Sequence, residues 1–379
     1  MATGPTGSGP RPPTSVTGWP PSSPRPDAYR RRRAPPDHRT TAAPPSVAEL
    51  ELPDVPAPTL RTRLVKAAFV AAIGQVRSRS GGVPTADAPE EELERYALAL
   101  RDQAEQALSR LPGGRTVRDA EVADADVAGL WVADDRAGCR PGPQGAERVV
   151  LHLHGGAFVL GSPRTHRGLA ATLSRASRAP VFLPRYRLAP EHVWPAALDD
   201  AVAAYRWLLD EQGVAPERLA VSGDSAGGGL ALALLLRAKD EGLPLPACYA
   251  GLSPWTDLAG TGTSMQELAE ADPWLPADLV VPAARAYAGQ RALEDPLVSP
   301  LYGDLADLPP MLVHVGSDEI LLDDAVRLVE RAREAAVDAS VAVFEGLWHV
   351  FQAFPLPESG ASLREIGAFV RRHTGGSRL

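Results

Sequence analysis

The chain is 379 residues long, 44% hydrophobic and 23% charged, enough material for a large buried core and a composition that excludes collagen-like and fibrous classes. Its formal charge of −8 is uneven. Residues 1–45 hold seven arginines against Asp27 and Asp37, a local +5 that leaves about −13 elsewhere and disfavours nucleic acid as a partner of the folded part. Cys139 and Cys248 are the only cysteines and no apolar run is long enough to span a bilayer, so a fold held by packing in a reducing compartment, the cytoplasm, is expected.

Residues 1–45 are crowded with Pro, Gly, Ser, Thr and Arg and lack apolar periodicity, which predicts a disordered tail. Arg30–Arg33 is followed by polar, proline-rich chain instead of an apolar stretch, so it does not read as an export signal. Helical patterns follow over Thr59–Val76 and from Pro89. In the second, Leu93, Ala97, Leu100, Ala104, Leu108 and Leu111 recur at three- to four-residue steps, with acids in its first turn.

After Gly114 short β-like runs alternate with helices. The runs are Ala128–Ala133, Val149–Leu153, Val181–Leu183, Leu219–Val221, Cys248–Leu252, Met311–Val315 and Ser340–Phe344, with an antiparallel start over Val122–Ala133. Helical stretches fall at Pro195–Leu209, Ala226–Arg237, Asp323–Ala336 and Ser362–Arg372. The alternation predicts an α/β fold with a mostly parallel sheet covered on both faces. It lapses over Pro254–Pro310, a segment rich in Pro, Trp and Asp with one helix at Pro276–Tyr287, which reads as an insertion over the strand ends.

The strongest chemical signal is Gly223-Asp224-Ser225-Ala226-Gly227, set directly between a strand and a helix. A serine on such a turn is pushed out of the sheet, while small flanking residues let strand and helix approach, and the helix aims free N–H groups at the reacting centre. A glycine-rich turn that merely contains serine is the plain alternative, and the flanking elements argue against it. His154-Gly155-Gly156-Ala157-Phe158, at the exit of an earlier strand, has the form of a loop whose Gly155 and Gly156 amides, with that of Ala226, receive an oxyanion.

A serine hydroxyl needs a base, and of eight histidines only His349 falls on a loop after the last predicted strand. For the acid, Asp318 in Gly316-Ser317-Asp318-Glu319 follows the preceding strand. Glu319, Asp323 and Asp324 are its rivals, the last two reading as the first turn of the next helix. The expected triad is Ser225, His349 and Asp318. No metal cluster, dinucleotide fingerprint or phosphate loop is present in the sequence, so no cofactor is implied.

These motifs together resemble the hormone-sensitive-lipase-like family of bacterial esterases, the branch with G-D-S-A-G at the serine, of the α/β-hydrolase fold. Tyr186-Arg187-Leu188-Ala189-Pro190-Glu191, Pro195-Ala196-Ala197, Ser253-Pro254-Trp255-Thr256-Asp257 and Asp295-Pro296-Leu297-Val298-Ser299-Pro300 extend the match from about Val149 to the C-terminus. The resemblance implies a catalytic domain over 115–379 and a helical cap made from residues 46–114 with the insertion at about 254–300. It also implies that Tyr186 braces the oxyanion loop. Phe158, Asp224, Tyr186 and Trp194 are the candidate substrate-binding residues, and Trp255, Trp274 and Trp348 are further aromatics for which a pocket and a core place are both open.

Two positions depart from the family pattern: Ala157 stands where many members have a third glycine, and Val350 where many have glycine after the histidine. The implied activity is hydrolysis of short- to medium-chain carboxylic esters through an acyl-enzyme. A lactone hydrolase, deacetylase or acyltransferase with the same triad is the alternative, and a non-catalytic ligand receptor a further one. The expected partner is a small acyl ester or lactone, with a homodimer as the assembly to test.

Overall fold

The computed structural model of the protein describes residues 1, 57–67, 95, 98, 99, 101, 105, 116–124, 127–275 and 277–375. From residue 57 onward these belong to one unit, Pro45–Leu379. The expected disordered tail over 1–45 lies, apart from residue 1, outside the described residues. The helix expected from Thr59 is present over residues 60–67; of the one expected from Pro89, residues 95, 98, 99, 101 and 105 are described and helical. The remainder of both lies outside the described residues.

Among the described residues eight strands form one sheet: β1 Val117–Ala123, β2 Ala128–Asp134, β3 Val149–Leu153, β4 Val181–Pro184, β5 Leu219–Asp224, β6 Cys248–Leu252, β7 Met311–Gly316 and β8 Ala339–Phe344. Their order is β1-β2-β4-β3-β5-β6-β7-β8. The β1–β2 and β2–β4 pairs are antiparallel and every later pair is parallel. The order reverses at β3, so β3 and β5 lie side by side although β4 separates them in the chain. Chain leaving the carboxyl ends of these two neighbours therefore meets, which is where such sheets build their sites.

Among the described residues five helices pack on the sheet, α1 Arg167–Ser177, α2 Ala196–Asp210, α3 Ala226–Asp240, α5 Leu322–Glu334 and α6 Pro357–His373, while α4 Ala277–Ala288 lies in the insertion between β6 and β7. Alternation along the strands sorts their apolar side chains to two faces. Val149, Leu151 and Leu153 of β3, with Val313 and Val315 of β7, join a core with α2, α3 and α5. Val150 and Leu312 join a second core with Leu169 and Leu173 of α1 and Ile366 and Val370 of α6. Both faces are buried, as parallel strands require. A smaller cluster of Phe344, Leu347, Trp348 and Phe351 lies where the chain leaves β8.

Candidate active site

Ser225 sits between β5 and α3 with φ 54° and ψ −127°, a conformation that costs a non-glycine residue of order 1–3 kcal/mol. The surroundings hold it there. Its N–H donates to the Leu252 carbonyl at 2.9 Å, and its own carbonyl accepts from the amides of Trp255 and Gly228, each at 2.9 Å. The sharp turn works only without a side chain at Gly227, where a Cβ would lie 2.1 Å from the Leu153 carbonyl oxygen at the end of β3.

The Ser225 hydroxyl is turned to His349, with Oγ 2.9 Å from Nε2. The other ring nitrogen, Nδ1, lies 3.0 Å from Glu319 Oε1. Three segments of chain, after β5, β7 and β8, thus meet in one relay. Both His349 and Glu319 are buried, and Ser225 is 7% exposed. Burial works against a charge on His349, but the hydrogen bond and charge of Glu319, helped by Asp272 and Asp224, overcome it and raise its pKa above the usual histidine value.

The expectation that Asp318 would hold His349 is corrected here. Asp318 turns outward, accepting a hydrogen bond from the Ser317 hydroxyl at 2.7 Å and pairing with Lys66 of the helical segment 60–67. Glu319 turns inward instead. Its Oε2 accepts from the Gly316 N–H and from the Ser253 hydroxyl, both at 2.8 Å, so the turn after β7 folds back on itself and points Glu319 at the imidazole. Ser253, just after β6, also accepts from the Val350 N–H at 3.1 Å, which makes it a brace between Glu319 and the His349 loop. Sequence reading missed this role, although Ser253 opens one of the motifs that carried the resemblance.

Gly155 lies against Ser225, since a Cβ built on it would be 3.0 Å from Ser225 Cβ. Gly156 has φ +123°, a region closed to other residues. Among the described residues nothing accepts a hydrogen bond from the amides of Gly155, Gly156 or Ala226, the last being the first residue of α3. Tyr186 sits below this loop, stacking on His154 at 4.2 Å and donating from its hydroxyl to the His154 carbonyl at 2.6 Å. The two departures from the family pattern both fall in left-handed backbone, Ala157 at φ 52° and Val350 at φ 48°.

The remaining candidates separate into different places. Phe158 is buried and stacks on Tyr287 of α4 at 3.7 Å, with Trp255 beyond it. Trp194 is half-buried, donating to the Leu297 carbonyl with the Arg291 guanidinium 4.0 Å over its ring. Trp348 belongs to the cluster beyond β8, and Trp274 is partly exposed. Asp224 is a second correction. Its carboxylate is buried between His152 Nε2 at 3.1 Å and His166 Nε2 at 3.3 Å, which leaves it facing those imidazoles rather than a substrate.

The insertion and the N-terminal segment both touch the site. Asp272 accepts from the Trp274 and Leu275 amides and from the Ile320 N–H at 3.2 Å, tying the insertion to the residue after Glu319. Arg101 donates to the carbonyls of Val159 and Ala189, each at 2.9 Å, and pairs with Glu191.

A reversing parallel sheet, a serine forced onto a strand-to-helix turn, and a histidine and acid arriving from later strands together define the α/β-hydrolase class of serine hydrolases. Comparison with known proteins agrees. Residues 150–353 match the family described as alpha/beta hydrolase fold. An acetyl-hydrolase of Streptomyces hygroscopicus is 45% identical over 231 residues, covering 60% of this chain and 77% of the relative. An esterase of Acinetobacter venetianus is 37% identical over 274 residues, covering 72% and 88%. A crystal structure of an esterase from the bacterial hormone-sensitive lipase family superposes with a TM-score of 0.71 at 39% identity, over 81% of this chain and 99% of that one. The chain belongs to the alpha/beta-hydrolase-fold family, in its hormone-sensitive-lipase-like group.

Proposed function

We propose that the protein hydrolyses carboxylic esters with short acyl groups, with Ser225 as nucleophile, His349 as general base and acid, and Glu319 as the carboxylate that orients the imidazole. The relay from Ser225 Oγ through His349 to Glu319, with contacts of 2.9 and 3.0 Å, carries the reading. In the first step the Ser225 oxygen bonds to the ester carbonyl carbon while its proton passes to His349 Nε2. The carbonyl oxygen becomes an oxyanion held by the amides of Gly155, Gly156 and Ala226, each such donor being worth on the order of 10²–10³ in rate. On collapse the carbon–alkoxy bond breaks and His349 returns the proton to the leaving alcohol. Water then attacks the acyl-enzyme by the same route, and the acid leaves.

The relatives named acetyl-hydrolase and esterase support ester hydrolysis and favour a small acyl group. Asp272 and Arg101 support assigning the insertion and the N-terminal helical residues to a cap that closes over the serine. The free thiols of Cys139 and Cys248 support a cytoplasmic place. Among the described residues no helix is long and apolar enough to cross a membrane.

The test is a p-nitrophenyl ester series of increasing acyl length on wild type and Ser225→Ala. Turnover should be confined to wild type and fall as the chain lengthens; turnover retained by Ser225→Ala refutes the nucleophile. Labelling of Ser225 by a fluorophosphonate separates this reading from a ligand receptor, in which the serine would be inert.

A further inference from the structure

Below the nucleophile lies a group of ionisable side chains outside the Ser225–His349–Glu319 contacts. Asp224, the residue before Ser225, is 2% exposed, and its two oxygens face different imidazoles. Oδ1 is 3.1 Å from His152 Nε2, whose Nδ1 is 3.2 Å from the Ser222 hydroxyl. Oδ2 is 3.3 Å from His166 Nε2, whose Nδ1 is 2.9 Å from the Thr165 hydroxyl. His152 belongs to β3 beside β5, whereas His166 arrives from the turn that starts α1.

The carboxylate is also pressed against the oxyanion loop. A Cβ on Gly155 would lie 2.3 Å from Asp224 Oδ2, so this oxygen touches the residue whose amide would receive the oxyanion. A full negative charge in that place opposes the charge that develops during acyl transfer, and in a buried, water-poor site the repulsion is weakly screened. The site therefore needs a cation at Asp224 Oδ2, and His166 is the group in position to be one.

We propose that His166 is a positioning residue for the reaction: as an imidazolium with Nε2 3.3 Å from Asp224 Oδ2 it forms an ion pair there and offsets the carboxylate charge that otherwise confronts the oxyanion at Gly155, Gly156 and Ala226. The proposal rests on the serine-hydrolase reading above.

The groups facing His166 fit this role. Asp224 approaches from the turn after β5, His154 from the oxyanion loop with ring centroids 5.3 Å apart, and Glu105 from the N-terminal segment through its bond to the Ser162 hydroxyl. On its own side, Arg164 and Arg167 are paired with Glu121 and Asp119. Burial disfavours a charge on His166, but Asp224, then the Ser162 carbonyl and Glu105, outweigh it, and its pKa lies above the usual value. His154 goes the other way, down to about 3, because burial and the neighbouring His166 both oppose its charge. Of these two neighbouring histidines, His166 is the one whose charge its surroundings favour.

The sign of the pH dependence follows. His166 is charged below its raised pKa and loses its proton as pH climbs through it, so turnover should decline on the alkaline side, where Asp224 is left uncompensated. His166→Gln keeps a donor but no charge. Its kcat should lie about 10- to 100-fold below the wild-type plateau, near the level wild type reaches only once His166 is deprotonated, with KM within about threefold and no alkaline decline, because the loss is felt in the transition state. Asp224→Asn should remove the alkaline decline, whatever its plateau rate. The double variant His166→Gln/Asp224→Asn should recover at least about fivefold over His166→Gln.

Near-ultraviolet circular dichroism identifies any variant that has lost its fold. In that case Asp224→Asn decides alone, and an alkaline limb unchanged from wild type overturns the proposal. So does a folded His166→Gln with wild-type kcat and profile, or a double variant no faster than the single one. Ser225→Ala run alongside separates the two readings. Activity in Ser225→Ala defeats the hydrolase assignment, whereas an inactive Ser225→Ala with wild-type behaviour in the His166 and Asp224 variants defeats only the role of His166.

Discussion

Replacing Glu319 and Asp318 separately by their amides tests the assignment on which the chemistry depends. In Glu319→Gln the shape is kept, but the single amide oxygen can accept either from His349 Nδ1 or from the Gly316 N–H and Ser253 hydroxyl that share Oε2, not from both sides. The charge facing the imidazolium is also lost. With His349 Nδ1 3.0 Å from Oε1 and charge centres about 4 Å apart, an effective dielectric of about 20 gives about 4 kcal/mol, or about 10³ in kcat. Because Glu319 raises the His349 pKa, the acid limb of kcat/KM should also move to lower pH in the variant.

Asp318→Asn removes a partly exposed pair with Lys66, its side chain being 32% exposed, and such pairs are worth about 0–1 kcal/mol. Its kcat should stay within about fivefold of wild type. The assay is hydrolysis of p-nitrophenyl acetate across pH 5–9 on both variants, with thermal denaturation to establish that each is folded. Equal losses in the two variants, or a folded Glu319→Gln within tenfold of wild type, would refute the reasoning.

Further measurements address other parts of the site. In wild type, His349 must be neutral to take the Ser225 proton, and its pKa is raised; the half-rate point of the acid limb should therefore lie above the usual histidine value of about 6.5. A limb centred below that value contradicts the Glu319–His349 pairing. Gly227→Ala places a methyl 2.1 Å from a backbone oxygen of β3 that cannot rotate away, so a loss of about 2–4 kcal/mol in chemical denaturation is expected, together with loss of turnover. A variant with wild-type stability would show that the elbow is looser than its geometry indicates.

Much of the architecture was legible from local pattern. Strands β2 to β8 announce themselves as short apolar runs, and α2, α3, α5 and α6 as periodic ones, because burial on two faces or on one stripe leaves its period in the residues. Helix α1 has a weaker signature. Its Arg, Ser and Gly residues dilute the apolar stripe of Leu169, Ala170 and Leu173, and its place is set by packing on α6 from the far end of the chain. Strand β1 carries an exposed, polar pattern and is defined by its pairing with β2 rather than by its own composition.

At the site, Ser225, the Gly155–Gly156 loop and His349 could be chosen from the chain because each is bound to a local context: an elbow, a strand exit, a loop after the last strand. The acid could not. Asp318 and Glu319 are neighbours on one turn, and which of them faces inward depends on how that turn folds back to bring Glu319 Oε2 to the Gly316 amide. The same limit hid Ser253 and the His152–Asp224–His166 group, whose members come from separate segments and gain their partners only once the strands lie side by side. The amino-acid order determined which chemical groups leave the sheet at its carboxyl edge; the direction each side chain takes there, and the charge it meets, was decided by backbone turns and by neighbours distant in sequence.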